Sequence, residues 1–447
     1  MKNNYSSINS DTRRILARGI EASNNTWETG LNNNDLIIGP SGAGKTRGYV
    51  KPNILQCTES LVVADTKGNL MEQVGPALEA NGYRVHRLDL KDLKKSTIGY
   101  NPLDYVRKDE DGRYNEQDLM MLANVMVPES TISKKDPFWD NAAKMYIESI
   151  LAYIMECLPP EEKNLCTAVR MLEEMPTGRF YALMDEQNLA FPNSTAARLY
   201  RLYKTNRTAE KMEASIIGIA AEKFTPFMST ELEKLFNREK RLDFWALGRE
   251  KTALFLCVSD TDRSMDRLVS FLYTQALHEL CRCAESYPGE CLPVPVRFIL
   301  DDFATNAVVP NFQELTSVIR SRGVAVSVIL QSMTQLAGIY GENDALTIAN
   351  NCDHWIYLGG QDMYTAGLIA RRADKREQSV LEMGPRQVCV LTRGEKARFA
   401  GAYRLEEHPK YAQTPEGSPE AARSRGVRPL AGVEGAEPLL AKGQNEI

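Results

Sequence analysis

The chain has 447 residues, 43% hydrophobic and 25% charged, a globular composition that excludes wholesale disorder and allows two or three domains around a large core. Lys plus Arg number 54 against 59 Asp plus Glu, a net charge of -5, so bulk positive charge cannot coat nucleic acid or membrane and any such contact must be local. Nine scattered cysteines without C-x-x-C spacing and four unclustered histidines point to reduced thiols rather than structural zinc, and no apolar run approaches the ~18 residues of a membrane helix.

Residues 1–33 are rich in Asn, Ser and Arg and read as an N-terminal lead-in arm. Asp35–Ile38 is a short strand that runs into the Gly-rich stretch Gly39–Gly44. Thr46–Gln56 follows as a helix that Pro52 must end or kink. Leu61–Ala64 and Arg84–Leu90 are further strand patterns, so residues 34–108 read as a βαβ unit with a parallel sheet. Between 109 and 241 strand patterns vanish. Ile147, Ile150, Leu151 and Ile154 mark one apolar helix face, and the region reads as an all-α insertion domain. The strand–helix rhythm returns over 242–410, with strands at Thr252–Val258, Val296–Leu300, Val324–Leu330 and His354–Leu358. From residue 412 onward there is no aromatic and there are nine Pro or Gly, so 411–447 read as a disordered tail. The fold class is α/β, a mainly parallel sheet interrupted by an all-α domain.

Gly39, Pro40, Ser41, Gly42, Ala43, Gly44, Lys45 and Thr46 match G-x-x-x-x-G-K-[ST] in full. Glycines let backbone N–H groups turn inward around phosphates, and the helix that follows adds its dipole. Lys45 reaches the β/γ-phosphates and the Thr46 hydroxyl binds Mg2+, which makes ATP and Mg2+ the expected ligands. Val296–Asp302 is an apolar strand ending in two carboxylates, the Walker B pattern. Asp301 is placed to hold Mg2+ through water and Asp302 to polarise the attacking water. Val324–Leu330 delivers Gln331 at its carboxyl end, where an amide can sense the γ-phosphate. Arg320 and Arg322 precede that strand. They read either as fingers acting in trans across a subunit interface or as helix C-terminal arginines that satisfy the dipole.

Six strings occur together and in order: Asn32–Leu55 around the Gly-rich loop, Leu61–Leu70, Tyr100–Val106, Asp136–Ile147, Phe298–Asn306 and Gln331–Leu336. Together they resemble the TraG/TraD family of type IV secretion coupling proteins, the ATPases of bacterial conjugation. The resemblance implies a RecA-like P-loop NTPase domain with an all-helical insertion between the Walker motifs. It also implies a homo-hexameric ring that passes DNA, single- or double-stranded, and couples a relaxase–DNA complex to a type IV secretion channel. Three departures stand out: Asp65-Thr66-Lys67-Gly68-Asn69 replaces the family's D-P-K-G-E, the Walker B pair is Asp-Asp, and the family's N-terminal membrane helices are missing from this sequence. The last implies a cytoplasmic protein brought to the membrane face by partners. A DNA motor of the FtsK/HerA kind not tied to secretion, and a nucleotide-binding adaptor without motor activity, stand as the alternatives.

Arg198, Tyr200, Arg201, Tyr203, Lys204 and Arg207 form a basic–aromatic run that reads either as a base-stacking platform or as a helix surface with Leu199 and Leu202 packed inward. With an acidic balance overall, DNA binding by isolated monomers is expected to be weak and salt-sensitive.

Overall fold

The structure is a computed structural model that describes residues 12–128, 137–174, 178–205, 210–303 and 307–418. Residues 1–11 of the lead-in, Arg207 of the basic–aromatic run and 419–447 of the tail lie outside them. A hairpin comes first, β1 (Arg13–Ala17) against β2 (Ile20–Ser23). A nine-stranded sheet follows, built from β3 (Asp35–Ile38), β4 (Ser60–Asp65), β5 (Arg84–Asp89), β6 (Thr252–Cys257), β7 (Val296–Leu300), β8 (Val324–Leu330), β9 (His354–Tyr357), β10 (Gln387–Thr392) and β11 (Arg398–Gly401). Its order is β11-β10-β9-β3-β8-β7-β4-β6-β5. Every neighbour pair from β9 to β5 is parallel, and β10 and β11 add an antiparallel edge. The inner strands are buried along their whole length, which is why they read as unbroken apolar runs.

The lead-in expected for residues 1–33 is instead ordered structure from residue 12. Leu16, Ala17, Ile20 and Ala22 join the hydrophobic cluster on one face of the sheet. Arg14, buried, donates to Asp35 at 2.9 and 3.2 Å and to Asn24 and Asn33. The asparagines that gave the segment a loop-like composition act as pins, Asn33 donating to Asn24 O and Asn32 to Asn351 O, and asparagines beyond it do the same. Asn53 pairs with both the N–H and the carbonyl of Ile15, while Asn34 bonds Val326 N–H and the carbonyls of Thr316 and Asn351.

Pro52 neither ends nor breaks its helix. Thr46–Val50 is wound as a π-turn in which Lys51 N–H bonds Thr46 O, and an α-helical turn, Lys51–Gln56, continues with Pro52 in its first turn. A proline has no N–H to give and its ring crowds the carbonyl four residues back; a wider turn accommodates both. Residues 411–418, expected within the tail, pack against the rest: Thr414 is buried and Asn81 donates to Gln413.

Between residues 109 and 241 the described elements are helical apart from two isolated bridges, Lys108 to Tyr114 and Gly99 to Arg241; the helices include Glu116–Met126, Phe138–Cys157, Leu165–Glu173 and Glu210–Phe224. The two passes that enter and leave this region are bonded to each other, Gly99 N–H to Lys240 O at 2.9 Å and Leu242 N–H to Gly99 O at 2.8 Å. Only glycine fits there, since a Cβ on Gly99 would meet Leu235 O at 2.6 Å. The helix Asp266–Glu285 ties the region to the sheet, with Arg282 pairing Asp118 and Arg267 donating to Val125 O. Among the described residues no helix is long and apolar enough to cross a membrane.

Candidate functional site

Parallel strands present their carboxyl ends on one edge, and ligands of open α/β sheets sit just beyond that edge. Here β3, β8, β7 and β4 are consecutive neighbours. Their carboxyl ends carry, in that order, the Gly39–Thr46 loop, Gln331, the Asp301–Asp302 pair and Asp65. Gly39 N–H bonds Leu330 O at 3.1 Å, which fixes the loop's first residue beside Gln331. All four groups line one cavity of about 370 Å³. The sequence-predicted Gly-rich loop, Walker B pair and glutamine are therefore brought together although they span almost 300 residues of chain (39 to 331).

The loop's shape follows from its glycines. Gly42 and Gly44 hold φ at 79° and 91°, which side chains with a Cβ rarely adopt. Lys45 is buried and donates from Nζ to the carbonyls of Gly39 at 2.6 Å and Pro40 at 3.2 Å. Burial lowers its pKa from the ordinary lysine value, and Asp302 and Asp301 pull the other way. Thr46 Oγ1 donates to Asp301 Oδ2 at 3.3 Å. A hydroxyl and a carboxylate converging from two elements form a hard-oxygen donor set that suits Mg2+, so the residues fit the ion the motif implies. Burial pushes the Asp301 carboxyl up to about 6, with Asp302 adding to the rise and Lys45 opposing it. Asp302 itself has φ at 50°, in the left-handed region.

Sequence reasoning gave no role in the site to four residues that share the cavity, Asp65, Lys67, Arg47 and Lys51. Asp65 accepts from Gly68 N–H at 2.8 Å and Leu70 N–H at 2.7 Å, folding the Asp65–Asn69 block so that Lys67 lines the cavity wall. Burial raises the Asp65 pKa, and those backbone donors offset part of the rise. Arg47 and Lys51 line the cavity from the helix after the loop. The signal for Asp65 and Lys67 was in the sequence as the altered D-P-K-G-E block; for Arg47 and Lys51 nothing but their place directly after Thr46 and one turn beyond it could have marked them.

Arg320 and Arg322 lie at the other edge of the sheet, before β8, so a full strand separates them from the loop of the same chain. Arg320 donates to Thr26 O at 3.0 Å, and Arg322 pairs with Glu290 and Glu285. In the basic–aromatic run, Tyr200 and Tyr203 are buried and Leu202 is exposed, the reverse of the facing expected for Leu202. Arg198 pairs with Glu116 and Lys204 with Asp185.

A family model described as type IV secretory system conjugative DNA transfer matches residues 4–375. Among curated relatives, VirD4 of Rhizobium radiobacter is 25% identical over 340 residues, covering 75% of this chain and 47% of the relative. VirD4 of Agrobacterium fabrum is 25% identical over 338 residues, covering 75% and 48%. The chain spans about half the length of the curated relatives it matches. Among solved structures, the unbound monoclinic form of the bacterial conjugative coupling protein TrwB matches with a TM-score of 0.65 at 13% identity, over 89% of this chain and 90% of that one. TrwB in complex with ADP and Mg2+ matches at 0.62 and 14% identity, over 83% and 85%. At such identities the likeness is one of fold.

Proposed function

The chain belongs to the type IV secretory system conjugative DNA transfer family, and from that premise we propose that it is an ATP-hydrolysing coupling protein that moves DNA. The observation that carries the proposal is the convergence of the Gly-rich loop, Gln331, Asp301–Asp302 and Asp65 on one cavity at the carboxyl ends of four adjacent strands. In this reading the N–H groups of Gly39–Thr46 cradle the phosphates and Lys45 turns from its own loop carbonyls to the β/γ-phosphates. Thr46 and Asp301 would hold Mg2+, which would neutralise the charge on the phosphates. Asp302 orients and polarises the attacking water, and Gln331 reports the γ-phosphate to β8 and the loops around it. The partners are DNA, a relaxase that brings it, the components of a type IV secretion channel, and further copies of this chain in a ring, acting at the cytoplasmic face of the membrane. Coverage by the family model is what supports these partner assignments.

Steady-state ATP turnover with and without single- and double-stranded DNA tests the proposal. Wild type should hydrolyse ATP faster with DNA, and Lys45→Ala should reduce turnover at least about a hundredfold, the scale of losing a charge aimed at the transferred phosphoryl group. ATP binding without turnover under any DNA condition would favour the nucleotide-binding adaptor instead.

A further inference from the structure

Arg47 and Lys51 are cations that the Gly-rich motif does not call for. They stand four residues apart on the helix leaving the loop, and both face the cavity. Their partners come from the far end of the described chain. After β11, residues 402–418 cross back over this helix as a strap pinned by the buried side chains of Leu405, His408 and Thr414. Glu406 holds Arg47 at 2.5 Å, and Glu416 holds Arg47 at 2.9 Å and reaches Lys51 at 3.7 Å.

We propose that Arg47 and Lys51 are additional phosphate ligands of the nucleotide, and that Glu406 and Glu416 form a carboxylate latch that competes with the nucleotide for them. The proposal rests on the nucleotide-site reading above and adds its regulation. Arg47 directly follows the Mg2+-binding hydroxyl of Thr46, so its guanidinium starts within a side chain's reach of the phosphates. A planar guanidinium accepts a carboxylate or a phosphate through the same fork of donors, and both ligands cannot fill it together. The latch is weak enough to lose: Arg47 and Glu406 are 44% and 45% exposed, where ion pairs contribute little. A polyphosphate brings more negative charge to the cluster of Lys45, Arg47, Lys51 and Lys67 than either glutamate. The strap's anchors sit elsewhere, with Glu407 next door bound to Arg18 of the N-terminal hairpin at 2.7 Å, so the carboxylates can let go while the strap stays docked.

Calorimetric titration of the full chain with ADP and Mg2+ tests the latch. The E406Q/E416Q variant should bind about three- to tenfold tighter than wild type, and Arg47→Ala should bind about tenfold weaker. Adding Arg47→Ala to E406Q/E416Q should cancel most of the gain, because both carboxylates hold that guanidinium closely and only Glu416 reaches Lys51, at 3.7 Å. Binding by wild type and E406Q/E416Q with equal affinity, or weaker binding by the variant, would overturn the latch alone. Binding by neither would overturn the nucleotide site as well. As a second readout on wild type, ADP with Mg2+ should speed amide hydrogen exchange over residues 416–418, beyond the Thr414 anchor, and leave residues 405–414 protected; slower or unchanged exchange over 416–418 contradicts the proposal.

Discussion

Asp302 closes β7 with φ at 50°, a backbone that an Asp side chain tolerates better than a longer acid does. That gives a local reason for the Asp-Asp pair where the family has Asp-Glu: the shorter acid suits the turn that aims it at the cavity. Away from the site, Glu148 carries a charge that burial disfavours. It lies on the inner side of the helix Phe138–Cys157, and burial pushes its carboxyl up to about 7, with Glu116 adding to the rise and Lys144 opposing it. A raised folded-state pKa means that its contribution to stability is fully present below about 4.3, the ordinary glutamate value, and is lost as pH climbs through about 7. Glu148→Gln should therefore change urea-unfolding stability little at pH 5 and raise it by about 1 to 3 kcal/mol at pH 8. An equal change at both pH values would show that Glu148 does not titrate in that window.

Among elements, legibility followed burial and motif. The strands β3, β4, β7 and β8 announced themselves as apolar runs because helices cover both faces of the inner sheet, and the phosphate loop and its acids sit where those runs end. What stayed hidden depended on partners far along the chain. The hairpin of β1 and β2 is held by Arg14 on Asp35 and by Asn53 on Ile15, contacts that a window of local sequence cannot show. Of the antiparallel edge strands, β11 gave no signal, since the exposed and intermediate residues of Arg398–Gly401 carry no alternating pattern, whereas β10 holds the short buried run Val388–Leu391. The facing of Tyr200 and Tyr203 was set by packing: Tyr203 packs against Tyr146, tilted by 42° with ring centroids 4.7 Å apart, and donates to Glu213. Aromatics committed to a helical core are not available to stack bases, so DNA contact is to be sought on other surfaces. The strap, residues 402–418, fell between an ordered domain and a tail by composition, and its contacts with Arg18, Arg47, Lys51 and Asn81 reveal where it lies.

At the scale of the whole molecule, the two edges of the sheet carry different halves of the proposed chemistry. The phosphate loop is at the carboxyl edge, while Arg320 and Arg322 are at the amino edge, about 23 Å away along the seven residues of β8. Neither arginine can reach the site of its own chain, so a catalytic role for either requires a neighbouring copy in a ring. Mixing Arg320→Ala/Arg322→Ala protein with Lys45→Ala protein should then restore part of the DNA-stimulated turnover that each lacks, through interfaces pairing an intact loop with an intact arginine. No recovery in mixed assemblies would assign both arginines to structure alone. The charge balance bears on the proposed function at this scale: a chain of net charge -5 that moved DNA would grip it on a confined surface such as a ring's lumen. The central claim is that ATP hydrolysis at this site moves DNA, and displacement of a labelled third strand from a DNA triplex measures that movement most directly. Wild type with ATP and Mg2+ should strip the third strand and Lys45→Ala should not; ATP hydrolysis by the wild type with the triplex left intact would contradict the account.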